Sequence, residues 1–342
     1  MRGMRAFLLC AVLAALLSAC TSVPPPSSPS GGDAPLVLIA GEELSRGEIV
    51  YLTSVAVEEY LLFREIDWEG HIEGIEVRRH FLDKALELAV SACVIRIKAA
   101  ELGYALTDEE EGAIDWELAM ESEYREGREA FLEELAAIGL TEELYRFYNY
   151  AVPMLQEKML DGLYGPGKPH EPDDGAMRAY YSRNYISASY IYLSATDEYG
   201  EPLTGTERET QKSVAEALRR RAISGDEDFT GMVGIYGQDY MMSLSPEGMP
   251  IPLGLFGASF DTALSALAVN DISEVVSTDD GFYVILRLPE DWEWFEENIE
   301  DILYYCGSDA FSEKIREWGV ELGVAVDEAF YRLDPQEMIA AG

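Results

Sequence analysis

The sequence predicts an α+β protein, mainly helical, with a smaller strand-and-helix segment set between helical stretches. Three observations carry that expectation. Apolar residues recur at helical spacing between Ser45 and Leu163. Strand, helices and strand follow one another between Ala188 and Leu288. A further helical stripe runs from Asp291 to Leu322.

Taken in order, Pro35 to Leu44 (PLVLIAGEEL) reads as a short apolar strand and a turn. Ser45-Arg46-Gly47-Glu48 then fits a capping box, in which hydroxyl and carboxylate each meet a first-turn amide. Ile49, Leu52, Ala56, Tyr60 and Phe63 follow at helical spacing. The next helix, from about Glu76 to Leu102, carries Phe81, Ala85, Leu88, Ala92, Ile95, Ala99 and Leu102 along one stripe. Gly103 stands where a left-handed cap is wanted. Thr107-Asp108-Glu109-Glu110 opens a third helix with a second capping box. Glu109, Glu110 and Glu111 read as a solvated first turn, favoured by the helix dipole, rather than as a metal site. Thr141 caps a long helix through Leu163 with a kink expected at Pro153, and Tyr145, Phe147, Tyr148 and Tyr150 are expected in its core.

Gly165-Pro166-Gly167-Lys168-Pro169 breaks the helical pattern and marks a boundary. Beyond it, Asp173–Arg183 reads as a lead-in helix and Ala188–Leu193 as a strand. Glu207–Ala222 is a helix ending near Arg219-Arg220-Arg221. Short helices at Phe229–Tyr236 and Phe260–Leu267 precede a closing strand, Gly281–Leu288. The final helix, Asp291–Leu322, places Phe295, Ile299, Ile302, Cys306, Phe311, Ile315, Trp318 and Leu322 on or near one face. Gly323 stops it, Val324–Leu333 alternates as a strand does, and 335–342 is a tail.

The start of the chain reads as a processing segment. Arg2 and Arg5 precede an apolar run, Ala6–Leu17, that suits a secretory signal over residues 1–19 and is too short for a permanent span. Leu17-Ser18-Ala19-Cys20 looks like a bacterial lipobox, whose cysteine is lipidated before cleavage. Residues 20–35 then form the lipidated cysteine and a flexible tether, rich in Pro, Ser and Gly. The expectation is an extracytoplasmic lipoprotein held to a bacterial cell membrane through Cys20 alone.

Composition narrows the partners. With 64 acids against 25 bases, the net charge of −39 repels nucleic acid and anionic headgroups and steers basic clients inward. Cys93 and Cys306 fall on predicted helices, where free buried thiols and a disulfide between them both stay open. His71, His80 and His170 lack metal-ligand spacing, so no metal and no cofactor is predicted.

The segment between Ala188 and Ile285 carries a recognisable frame. It reads Ala188-Ser189-Tyr190-Ile191-Tyr192-Leu193, Asp228-Phe229, Tyr236-Gly237-Gln238-Asp239 and Leu253-Gly254-Leu255-Phe256-Gly257. Phe260, Asp271-Ile272-Ser273 and Thr278-Asp279-Asp280-Gly281-Phe282-Tyr283-Val284-Ile285 complete it. In order and near-spacing this resembles a parvulin-type peptidyl-prolyl isomerase. The opening, Ile39–Ile49 with Glu101–Glu110, is similar to the N-terminal chaperone region of SurA/PrsA-type foldases. Together the resemblance covers nearly all of residues 36–334.

The resemblance implies that residues 36–172 and 289–334 form one helical chaperone domain, completed by a C-terminal helix and strand. A parvulin-like α+β domain, 173–288, would be inserted in it. It also implies site residues. Asp239 matches the family's Cys/Asp position, Phe260 the floor phenylalanine, with Phe256 beside it for substrate, and Thr278 the threonine near the second histidine. Tyr190 and Tyr283 replace both usual histidines, and Asp280 replaces a small residue. Met241, Met242 and Met249 stand before a shortened loop that lacks the family's floor methionine.

An isomerase must favour a twisted amide against a barrier of about 18–20 kcal/mol, using a proline pocket and matched donors. Phenols are bulkier than imidazole and neutral near pH 7. Tyrosines at both positions therefore point to a degenerate domain kept for binding unfolded, proline-containing exported polypeptides. An active isomerase with tyrosines in new roles is the alternative. A surface-assembly or solute-binding lipoprotein is a third reading.

Overall fold

A computed structural model describes residues 35–340 except 63, 64, 73, 126, 198 and 226. The signal segment, Cys20, the tether up to Ala34, and Phe63 lie outside the described residues. The architecture is mixed α+β, mostly helical, with sheets of three, two and four strands. It divides into two units: one ends at Glu171 and resumes at Gly307, and the other is Pro172–Cys306.

In the first unit, strands β1 (Val37–Ile39) and β2 (Glu42–Glu43) form a hairpin through Ala40 and Gly41, both at positive φ. Helix α1 (Arg46–Leu61) starts on the expected capping box: Ser45 Oγ accepts from Glu48 N, and Glu48 Oε2 from Ser45 N at 2.9 Å. A two-stranded ribbon, β3 (His71–Ile72) and β4 (Ile75–Glu76), leads into α2 (Val77–Leu102). Ile49 and Leu52 of α1 pack with Leu82, Ala85 and Ala89 of α2 around Phe330. Phe81, Ala85, Ala92, Ile95 and Ala99 are buried as the stripe predicts. Leu102 is not: it sits in the last turn and is exposed.

Helix α3 (Asp108–Tyr124) carries the second capping box, Thr107 with Glu110. Its acidic first turn is more engaged than expected, since Glu110 pairs with Lys158 and Glu111 with Arg146. Helix α4 (Arg128–Ile138) has no counterpart in the sequence reading. The long helix after Thr141 is three pieces: α5 (Glu142–Arg146), a π-helical stretch (Phe147–Ala151) and α6 (Val152–Tyr164). Pro153 has no N–H for the Asn149 carbonyl, and the chain widens one turn earlier, with Val152 N bonded to Phe147 O. Of the four aromatic residues expected in that core only Tyr145 is buried; the phenols of Tyr148 and Tyr150 reach Glu48 and Glu121 at 2.7 and 2.6 Å.

The second unit opens with α7 (Asp174–Asn184) and β5 (Tyr185–Ser194). Then come α8 (Gly205–Ser224), α9 (Phe229–Tyr236), α10 (Tyr240–Leu244), β6 (Met249–Pro252) and α11 (Ala258–Ala266). Strands β7 (Val276–Ser277) and β8 (Gly281–Arg287) close an antiparallel sheet of order β6-β5-β8-β7. The register pairs Tyr190 with Ile285 and Tyr192 with Tyr283. Alternation puts Ile191, Leu193, Phe282 and Val284 in the core with Ala215 and Leu218 of α8 and Met232 and Val233 of α9.

The helix expected over Asp291–Leu322 is broken at Asn298 into α12 (Trp292–Glu297) and α13 (Ile299–Leu322). Asn298 N and Nδ2 both bond to the Trp294 carbonyl, ending the first piece. Phe295, Ile302 and Cys306 pack with Tyr181 inside the second unit. In the first unit the strand expected through Leu333 stops early: β9 (Val324–Val326) pairs antiparallel with β1, a 3-10 turn covers Phe330–Arg332, and the expected tail holds a helix, α14 (Pro335–Ala340), with Met338 buried. Cys93 is partly buried and Cys306 buried, and no disulfide joins them. Among the described residues no helix is long and apolar enough to cross a membrane.

Candidate functional site

The middle of β5 and β8 brings two tyrosines of neighbouring strands side by side. Tyr190 and Tyr283 are both buried, with ring centroids 5.6 Å apart. Phe260, fully buried on α11, meets Tyr190 at 5.8 Å and Tyr283 at 5.1 Å. Phe256 closes the group from the turn before α11, at 5.3 Å from Tyr190 and 4.8 Å from Phe260. These edge-on and tilted contacts match the ring quadrupoles. Phe256 alone of the four is not fully buried.

The turn that delivers Phe256 depends on glycine. Gly254 and Gly257 have φ of +95° and +82°, a region side-chain-bearing residues rarely adopt. Asp261 holds the turn in place by accepting from Gly254 N at 2.8 Å. On the far side, β8 starts at Gly281, where a Cβ would lie 2.4 Å from the Leu193 carbonyl oxygen and 2.5 Å from the Tyr192 ring.

A carboxylate acts on each phenol. Asp239 is the N-cap of α10, taking Met242 N on Oδ1 at 2.6 Å, and its charge acts on the Tyr190 phenol. Burial, then the charge and hydrogen bond of Asp239, push the Tyr190 phenol above the usual tyrosine range. Tyr283 donates to Asp280 Oδ2 at 2.8 Å; burial and that bond raise its phenol likewise. Thr278 donates to the other oxygen of Asp280 and accepts from Gly281 N at 3.2 Å, bracing the β7–β8 turn. Tyr192 adds a hydrogen bond to the Asp280 carbonyl at 2.7 Å.

The structure thus gathers Tyr190, Asp239, Phe256, Phe260, Thr278 and Tyr283 around one point. Thr278 reaches the rings only through Asp280. Of the methionines considered for the pocket, Met242 is buried in the core, Met249 is partly buried on β6, and Met241 is exposed. Sequence reasoning did not assign Asp280 or Tyr192 a role. Asp280 stands two residues after Thr278 and three before Tyr283, but its link to both depends on the fold of the turn.

One base reaches the edge of this site: Arg208 of α8 donates to the Thr278 and Asp279 carbonyls of the β7–β8 turn. From Ala222 to Leu286 the sequence has no Lys, Arg or His, while Asp239, Glu247, Asp261, Asp279 and Asp280 fall within it. The arginines near the end of α8 are engaged elsewhere: Arg219 with Glu274 and the Ser273 carbonyl, Arg221 with Glu227 and the Tyr236 hydroxyl. Among the described residues no group of three or more His, Cys, Asp or Glu could hold a metal ion.

No family model matches the chain, and no curated protein matches it. Some solved structures are similar at low identity. A crystal structure of the peptidylprolyl isomerase PrsA from Bacillus anthracis is 16% identical, covering 69% of this chain and 95% of that one, with a TM-score of 0.32. The foldase protein PrsA from Streptococcus pneumoniae is 13% identical over 87% of this chain and 97% of that one, again with a TM-score of 0.32. NmPin, the parvulin of Nitrosopumilus maritimus, is 21% identical over 31% of this chain and 97% of its own, with a TM-score of 0.24. These are loose similarities of arrangement.

Proposed function

We propose that this chain is a foldase-type protein that binds unfolded, proline-containing polypeptides and has little or no isomerase activity. Pro172–Cys306 is, in this reading, a parvulin-like unit whose ring cluster receives a prolyl residue without turning it over. One observation carries the reading: the Tyr283 hydroxyl proton is already given to Asp280, and the charge of Asp239 acts on the buried Tyr190 phenol. A phenol has a single proton to donate. A twisted amide needs donors matched to its altered charge, and here the Tyr283 phenol has none to spare. What remains is the open part of the Phe256 ring over a buried aromatic cluster, an apolar contact that suits a proline ring. By the sequence motif around Cys20 the protein would act outside the cytoplasm, tethered by lipid to the membrane.

The test is exchange NMR on a short prolyl peptide with the chain from Thr21 onward. The unmodified protein is expected to shift peptide resonances without accelerating cis/trans exchange. The variant Tyr190→His/Tyr283→His/Asp280→Gly, which restores the usual residue types, is expected to gain acceleration. Acceleration by the unmodified protein that is lost in Asp239→Asn would overturn the reading and make it an isomerase.

A further inference from the structure

Helix α3 presents two apolar faces, and only one is covered. Ile114, Leu118 and Ser122, four residues apart, are buried inside the first unit. Trp116, Met120 and Tyr124 are offset from them by two residues, roughly 200° around a helix of 3.6 residues per turn. They are 61%, 48% and 93% exposed. A helix that packs on one side normally turns polar side chains to water on the other. Here large, adaptable apolar side chains occupy that side instead, at the spacing that makes a continuous ridge.

The charge around the ridge says what could cover it. Helix α3 contains eight acids and no Lys, Arg or His (DEEEGAIDWELAMESEY). Glu110, Glu111, Asp115 and Glu121 are neutralised by Lys158, Arg146 and Arg125 from the same unit. Asp108, Glu109, Glu117 and Glu123 are exposed and pair with no base among the described residues. Glu117 and Glu123 flank the ridge directly. A second copy of this face would set acids against acids, and an anionic bilayer would be repelled in the same way.

We infer that the Trp116–Met120–Tyr124 ridge is a docking surface for unfolded polypeptide segments in which apolar residues alternate with Lys or Arg. This deepens the polypeptide-binding reading and rests on it. Apolar side chains of the segment lie along the ridge, while its cations meet Glu117 and Glu123. The surface is separate from the ring cluster and needs no proline.

The experiment uses fluorescence anisotropy at low ionic strength with a fluorescein-labelled peptide of Leu, Phe, Ser and Lys, lacking proline. A matched peptide carries Glu in place of each Lys. The Lys peptide is expected to bind at least about tenfold more tightly than the Glu peptide, a difference of about 1.4 kcal/mol. Trp116→Ser/Met120→Ser/Tyr124→Ser should weaken it by about tenfold or more. Glu117→Lys/Glu123→Lys, which keeps the ridge, should weaken it as well. Val320→Ser, at an exposed site on α13, should change nothing. Equal binding of the two peptides, full binding by the serine variant, or no binding by the unmodified chain would each overturn the proposal. So would a dimer in sedimentation that the serine variant turns into monomer, because the ridge would then belong to a second copy. Since the peptide lacks proline, these outcomes are independent of whether the ring cluster binds prolyl residues.

Discussion

A phenol standing where an imidazole is usual changes what a position can offer a bound amide. Tyr190 and Tyr283 each have one proton; Asp280 takes that of Tyr283, and the charge of Asp239 acts on Tyr190. The remaining capacity of the site is contact, and its four rings are not equivalent in this respect. Phe260 has no exposed surface, whereas Phe256 lies at the edge with part of its ring open. The two therefore part company on mutation. Phe260→Ala is expected to cost about 3–5 kcal/mol of stability in the second unit, as deletion of a buried ring does. Phe256→Ala should cost less stability but weaken prolyl-peptide binding by about five- to tenfold, the worth of one aromatic contact. Denaturant melts and NMR titrations separate the two effects; equal binding by Phe256→Ala would remove that ring from the binding surface.

At the level of elements, local chemistry set the starts of helices most firmly. Ser45 with Glu48 and Thr107 with Glu110 form full capping boxes where the sequence pattern places them. Ser45→Ala should lower the denaturation midpoint of the first unit by the equivalent of about 1 kcal/mol. Ser54→Ala, on the same helix but away from its cap, serves as control, and equal effects would show that the cap contributes nothing special. In the second unit α7, β5, α8, α9, α11 and β8 were legible within a few residues, whereas the short α10, β6 and β7 were not. Other features escaped as well. Helix α4 is bounded by Gly127 and Gly139 and has few buried residues, so its period is faint. The π-helical turn depends on hydrogen bonding between turns, which composition does not record. The break at Asn298 arises from its side-chain and backbone bonds to Trp294, a local competition within an unbroken apolar stripe. At the candidate site the residue types were legible, but the carboxylate partner of Tyr283 was visible only once the β7–β8 turn was folded.

For the molecule as a whole, tyrosine ionisation sets an alkaline limit. In the first unit burial pushes Tyr51 up to about 12, and Tyr145, Tyr148 and Tyr150 are raised by burial and by the carboxylates they bond. An unfolded phenol ionises near pH 10. Below that pH both states keep the proton, and the stability these residues give is intact. Between about pH 10 and about 12 the unfolded chain loses protons that folded Tyr51 retains, so stability falls as pH rises. Urea midpoints should thus be level up to about pH 9 and drop steadily above pH 10; a flat profile to pH 12 would contradict the assignment. The uncovered face of α3 has a colloidal meaning as well. A ridge of Trp, Met and Tyr would normally make a protein stick to itself, and with 64 acids against 25 bases the like-charged copies are instead held apart. That protection reaches only as far as the ionic atmosphere allows, about 8 Å at physiological salt and about 3 Å at 1 M. The same side chains that suit the protein to hold sticky segments thus leave its own solubility in the keeping of the surrounding electrolyte.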